Sequence, residues 1–142
     1  MFASRRRSAA ALLLAVLAVL LVVSSPTQAV KPPRIKFAGL KSATTCIPGP
    51  VKEGETTSYH LEWEAAKAKT STRKIVYNVY EATTPGGENY SQPTYTTAPG
   101  ATSFDTPQLP VEDTYYFVVR ARDRMGNEDS NTVEREGQNL CE

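Results

Sequence analysis

The chain is poor in the residues that carry most protein chemistry. It has one histidine, two cysteines, two methionines and one tryptophan in 142 residues. A lone imidazole excludes a metal centre built on several histidines and leaves one histidine base for any nucleophile. No Gly-x-Ser-x-Gly sequence is present, so the exposed serine of the α/β-hydrolase type has no motif. Charge of one sign is lacking too. Lys and Arg number 16 against 15 Asp and Glu. That balance excludes a nucleic-acid binder held by a basic face and a polybasic membrane anchor. Long apolar runs are limited to one, residues 9–23, which excludes a multi-span membrane protein.

That run follows Arg5, Arg6 and Arg7 and precedes Ser24, Ser25, Pro26 and the small residues Thr27 and Ala29. A basic tip, an apolar core and a small-residue exit are the order of a secretory signal peptide. Residues 1–29 are therefore expected to be a signal peptide cleaved after Ala29, and the protein to be secreted. The alternative is tethering by an uncleaved N-terminal segment. The run of 15 residues is short for that, since a membrane helix needs about 20. No cysteine lies just after the run to serve as a lipid-anchor attachment point. Of the 142 residues, 113 remain after residue 29, with 13 cationic against 15 acidic side chains. A chain of that size builds one modest core, not two.

Residues 30–34 hold a proline pair and read as an extended lead-in. From residue 35 the pattern is one of alternation with period two, the signature of half-buried strands. Tyr59, Leu61 and Trp63 alternate with polar residues. Ile75, Tyr77 and Val79 form a second set, and Tyr115, Phe117, Val119 and Ala121 a third. Ile35 and Phe37, leading to Leu40, read as the first strand. Weaker strands are expected over residues 92–97, 102–105 and 131–136, with Pro93 confining its strand to an edge. Pro and Gly mark turns near residues 48–50, 53–54, 85–87, 99–100 and 126–127. Residues 65–69 lack an apolar stripe and read as a loop. Seven short strands imply an all-β, two-sheet antiparallel sandwich.

The spacing over residues 35–142 resembles a fibronectin type III domain. Trp63 stands in the second strand, where that family keeps its core tryptophan. Tyr77-Asn78-Val79-Tyr80 is similar to the family's third strand. Leu109 followed by Tyr115, Phe117, Val119 and Ala121 is similar to its sixth. Asp123, Gly126, Asn127 and Ser130 resemble the turn that follows. The resemblance implies a seven-stranded immunoglobulin-like sandwich, with Tyr115 at a tyrosine corner bonding to the backbone upstream. Two departures stand out: Pro110 follows Leu109 directly, and Asp113 replaces a threonine. In such a fold the first and last strands run the same way, so Cys46 and Cys141 emerge at one pole. An exported chain with an even cysteine count is then expected to pair them. Two thiolates alone make a poor zinc site.

Function is expected to be non-catalytic, with no cofactor and no metal. His60 faces outward beside Glu62 and Glu64, a common solvated strand face. The inward aromatics are Tyr59, Trp63, Tyr77, Phe104, Tyr115 and Phe117. The expected outward set is Tyr80, Tyr116, Val118 and Arg120, with Val76 on the same face and Tyr95 at its edge. Tyr and Arg are enriched in recognition patches, so this face is the candidate binding site. The expected role is protein–protein interaction or adhesion at the cell surface or outside the cell, with an extracellular or cell-envelope protein as partner. A carbohydrate-binding module using the same tyrosines, and a passive structural domain, are the alternatives. Asn89-Tyr90-Ser91 forms a glycosylation sequon in an expected loop.

Overall fold

The computed structural model describes residues 35–68 and 74–141. The expected signal peptide over 1–29 and the lead-in over 30–34 lie outside them. The described chain is all-β. Its strands are β1 (Leu40–Thr45), β2 (Thr56–Thr57), β3 (His60–Trp63), β4 (Val76–Ala82), β5 (Tyr95–Thr96), β6 (Ser103–Asp105), β7 (Leu109–Pro110), β8 (Tyr116–Arg122), β9 (Glu134–Glu136) and β10 (Gln138–Asn139). Two four-stranded sheets form, in the orders β10-β1-β3-β6 and β5-β4-β8-β9, with β2 and β7 pairing separately. The strong alternations lie within or at the ends of β3, β4 and β8. Their branched and aromatic residues suit a pleated, half-buried surface.

The two sheets share one core. Leu40, Ala43, Leu61 and Trp63 come from the first, and Tyr77, Val79, Phe117, Val119 and Ala121 from the second. Trp63 and Tyr77 meet with ring centroids 5.2 Å apart, and Tyr59 and Phe117 at 5.5 Å. Burial of each such side chain stabilises by about 1.5–3 kcal/mol. Five of the six expected inward aromatics are buried, and Phe104 packs half-buried against the same cluster.

Several boundaries differ from the sequence reading, each for a local reason. Ile35 and Phe37 do not open the first strand. Lys36 makes an isolated bridge to Lys67, and the chain then turns at Gly39 (φ 86°) before β1 begins. A Cβ at Gly39 would stand 2.6 Å from that of Val133, so only glycine passes there. The expected strand over 92–97 shortens to β5, because Pro93 has no N–H to give. That over 131–136 shortens to β9. Asn131 instead donates to the Val119 carbonyl and accepts from the Val133 N–H. The two-residue pairing of β2 with β7 has no periodic signal in the sequence, and Pro110 hides it further.

After β9 the chain crosses to the other sheet at Gly137. There β10 runs parallel to β1, Thr44 opposite Gln138 and Thr45 opposite Asn139. This parallel pairing brings Cys46 and Cys141 to one end, Cα atoms 4.8 Å apart, joined by a disulfide. The Tyr115 hydroxyl meets the Asp113 carboxylate at 3.5 Å. The expected bond to upstream backbone is thus replaced by a side-chain partner, Asp113.

Candidate functional site

The expected binding face exists as a set of neighbours. Tyr80 lies opposite Val118 and Asn78 opposite Arg120 on the outer surface of β4 and β8. It is not an open face. Tyr80 is 2% exposed and Val118 0%, Arg120 is half-buried, and Tyr116 is partly exposed. The expectation that Tyr80 and Val118 present themselves to a ligand is therefore corrected. The reason is residues 83–91, which leave β4 and lie back over the sheet. The Tyr90 ring packs edge-on to Tyr80 at 5.2 Å, and the Arg120 guanidinium sits 3.6 Å from the Tyr90 centroid.

Beneath that cover the polar groups are paired. Asn78 and the Tyr80 hydroxyl donate to Glu128, and Arg120 Nε donates to the Asn131 carbonyl at 2.9 Å. Arg120 also approaches the Glu128 carboxylate at 3.9 Å. Burial and the Glu128 carboxylate push the Tyr80 hydroxyl up to about 12. Tyr95, expected at the edge of this face, instead packs against Phe104 at 5.3 Å. Periodicity could not reveal the cover, because Tyr90 sits in an irregular segment following Pro85-Gly86-Gly87.

His60 is exposed on the outer face of the other sheet. Its Nδ1 lies 2.6 Å from Asp105 and its Nε2 3.5 Å from Glu62. Hydrogen bonding to Asp105 is the main cause that raises its pKa. Both ring nitrogens thus face carboxylates. Among the described residues no group of three or more His, Cys, Asp or Glu converges as it would on a metal ion. No helix among them is long and apolar enough to cross a membrane.

The surface that is both open and rigid lies at the pole formed by residues 122–127. Asp123 is 5% exposed. Its carboxylate accepts from the Met125 N–H, the Asn127 N–H and the Asn127 side chain, each at 2.9 Å. Burial pushes Asp123 up, but these hydrogen bonds outweigh it and hold the carboxyl below its ordinary value. Gly126 (φ 87°) completes the turn. The result is a fixed tip from which Met125 projects, 76% exposed. Beside it, Lys74, Val76, Pro99, Asp123 and Arg124 line an open pocket of about 350 Å³. Among the described residues, Lys74, Arg122 and Arg124 have no carboxylate within ion-pair distance. A larger groove of about 660 Å³ runs between Phe37, Glu64, Lys67 and Asp129. It mixes both charge signs, so it defines no ligand.

The pole carries an Asx-type turn, Asp123 to Asn127, holding a cation and an apolar side chain at its tip. Comparison with protein-family models, curated proteins and solved structures finds no match for this chain.

Proposed function

We propose that the chain is an exported, non-catalytic, fibronectin type III-like interaction module, and that it recognises an acidic surface of another extracellular or cell-envelope protein. The observation that carries this reading is the tip at residues 123–127. Its backbone is held by the buried Asp123 carboxylate, and it presents Arg124 and the 76% exposed Met125. A rigid tip loses little entropy on binding. Lys74, Arg122 and Arg124, which have no carboxylate within ion-pair distance among the described residues, attract acidic partners and reject basic ones. Met125 supplies adaptable apolar contact. The fibronectin-like part of this reading is supported by the all-β architecture of two four-stranded sheets and by the motifs around Trp63 and Tyr115. Export accords with the basic-apolar leader and with the disulfide, a bond of oxidising compartments. The non-catalytic part of this reading rests on the lone histidine of the sequence, which has no second imidazole to complete a catalytic constellation.

Cross-linked capture from the cell-envelope fraction tests the proposal. The secreted protein is run beside an Arg124→Glu/Met125→Ala variant and a Tyr116→Ala variant. A protein held by wild type and Tyr116→Ala, but lost with the pole variant, is the expected result. Equal capture by all three would remove the pole as the site. Capture by none would remove the interaction reading itself.

A further inference from the structure

One group on the covered face has no partner. Glu88 is 8% exposed, and neither carboxylate oxygen meets a donor at hydrogen-bond geometry, although its own N–H and the Glu134 carboxyl lie close. A carboxylate so placed costs far more than a neutral carboxyl. The charged and titratable groups around it come from each neighbouring element. Glu134 stands on β9, Arg120 on β8 and Tyr90 on the same segment, with Tyr80 of β4 and Glu128 behind Arg120. Burial is the largest influence and raises the Glu88 pKa; the charge of Glu134 adds to it, against a partial offset by its own N–H and Arg120. Arg120 is already shared with Asn131, Glu128 and the Tyr90 ring.

A proton removes the conflict. Protonated Glu88 becomes a donor beside Glu134, whose carboxylate also accepts the Gly86 N–H at 2.6 Å. Glu134 would then bind the segment twice, through backbone and through side chain. Elsewhere residues 83–91 rest on the sheet through the Tyr90 ring, against Tyr80 and Arg120. Gly87 N–H turns back on the Thr84 carbonyl, and Ser91 bonds to Asn89, both within the segment itself.

We propose that residues 83–91 form a proton-latched cover, seated over Tyr80, Val118 and Arg120 while Glu88 carries a proton and released when it ionises. The sign follows from the direction of the shift. A carboxyl raised above its ordinary 4.5 contributes stability that is fully present below that value. The contribution is lost as pH rises through the raised value. Release leaves the sandwich core intact, because none of its cluster residues belongs to this segment. It exposes Tyr80 and Arg120 together, two residue types enriched in recognition patches.

Amide exchange on the full-length secreted protein, expressed as protection factors at pH 4 and pH 8, tests the latch. The Gly86 amide, which donates to Glu134 on β9, is expected to lose protection at the higher pH as the segment opens. Core amides of β4 and β8 should keep theirs. Glu88→Gln, neutral at every pH, should hold the protection nearly constant. Glu134→Gln removes the neighbouring charge and should move the wild-type transition to lower pH. Protection in the wild type that does not change with pH would overturn the proposal. So would the same change in Glu88→Gln. If Glu88→Gln does not seat the segment, an unmoved transition in Glu134→Gln overturns it instead.

Discussion

Removal of the Cys46–Cys141 bridge by a Cys46→Ser/Cys141→Ser double substitution should cost the protein a large part of its stability. The bridge closes a loop spanning 95 residues of sequence. The chain-entropy relation assigns about 4.7 kcal/mol to such a loop at 25 °C, and strain or residual structure lowers the measured range to about 2–5. A domain of this size has about 5–16 kcal/mol in total at ~0.05–0.15 kcal/mol per residue. The native contacts at the bridge do not depend on it alone. Leu140 N–H donates to the Thr45 carbonyl at 2.9 Å, and Ile47 N–H to the Asn139 side chain at 2.9 Å. The effect should therefore fall mainly on the unfolded state. Urea denaturation followed by Trp63 fluorescence reads it. Trp63 is the only tryptophan, 4% exposed, with its indole N–H bonded to the Ala101 carbonyl. The double variant should lose about 2–5 kcal/mol and show a steeper denaturant dependence, because an unbridged chain exposes more surface. A loss below about 1 kcal/mol, or an unchanged slope, would refute the reasoning.

Gly137→Ala should destabilise by about 1–3 kcal/mol, the cost of overpacking a well-filled core. A Cβ there would stand 2.3 Å from the Tyr59 ring, which Tyr115 and Phe117 hold in place at 5.7 and 5.5 Å; an unchanged melting midpoint would show that the ring can move. The His60 pKa is raised, chiefly by Asp105. Its stabilising contribution is present below its ordinary 6.5 and lost as pH rises through the folded value. Asp105→Asn should lower the titration midpoint of the His60 ring in proton NMR, and an unmoved midpoint would assign the shift elsewhere.

Much of the fold was legible from side-chain alternation. Leu61 and Trp63, Tyr77 and Val79, and Phe117 with Val119 and Ala121 all point into the core that period two assigns them. The cysteine pairing was legible through strand direction. The cover over β4 and β8 was not. Alternation tells which side of a strand a residue takes, but it does not tell whether that side meets water. Tyr80 and Val118 have the sequence signature of a surface and the burial of a core, because Tyr90 and Glu88 arrive from a segment with no period. Short pairings such as β2 with β7 also escape, since two residues carry no pattern. The tip at residues 123–127 was visible as a turn. What the sequence could not convey is that Asp123 is buried and satisfied, which makes the turn rigid.

The most direct test of the account replaces Met125 with a photo-crosslinking residue, benzoylphenylalanine, and places the same residue at Ser42 on the outer face of the other sheet as a control. Irradiation in the native envelope should give one defined protein adduct from position 125, none from position 42, and no adduct when Arg124→Glu is added. Adducts from position 42 alone, or equally from both positions, would contradict the claim that this pole is where the module meets its partner.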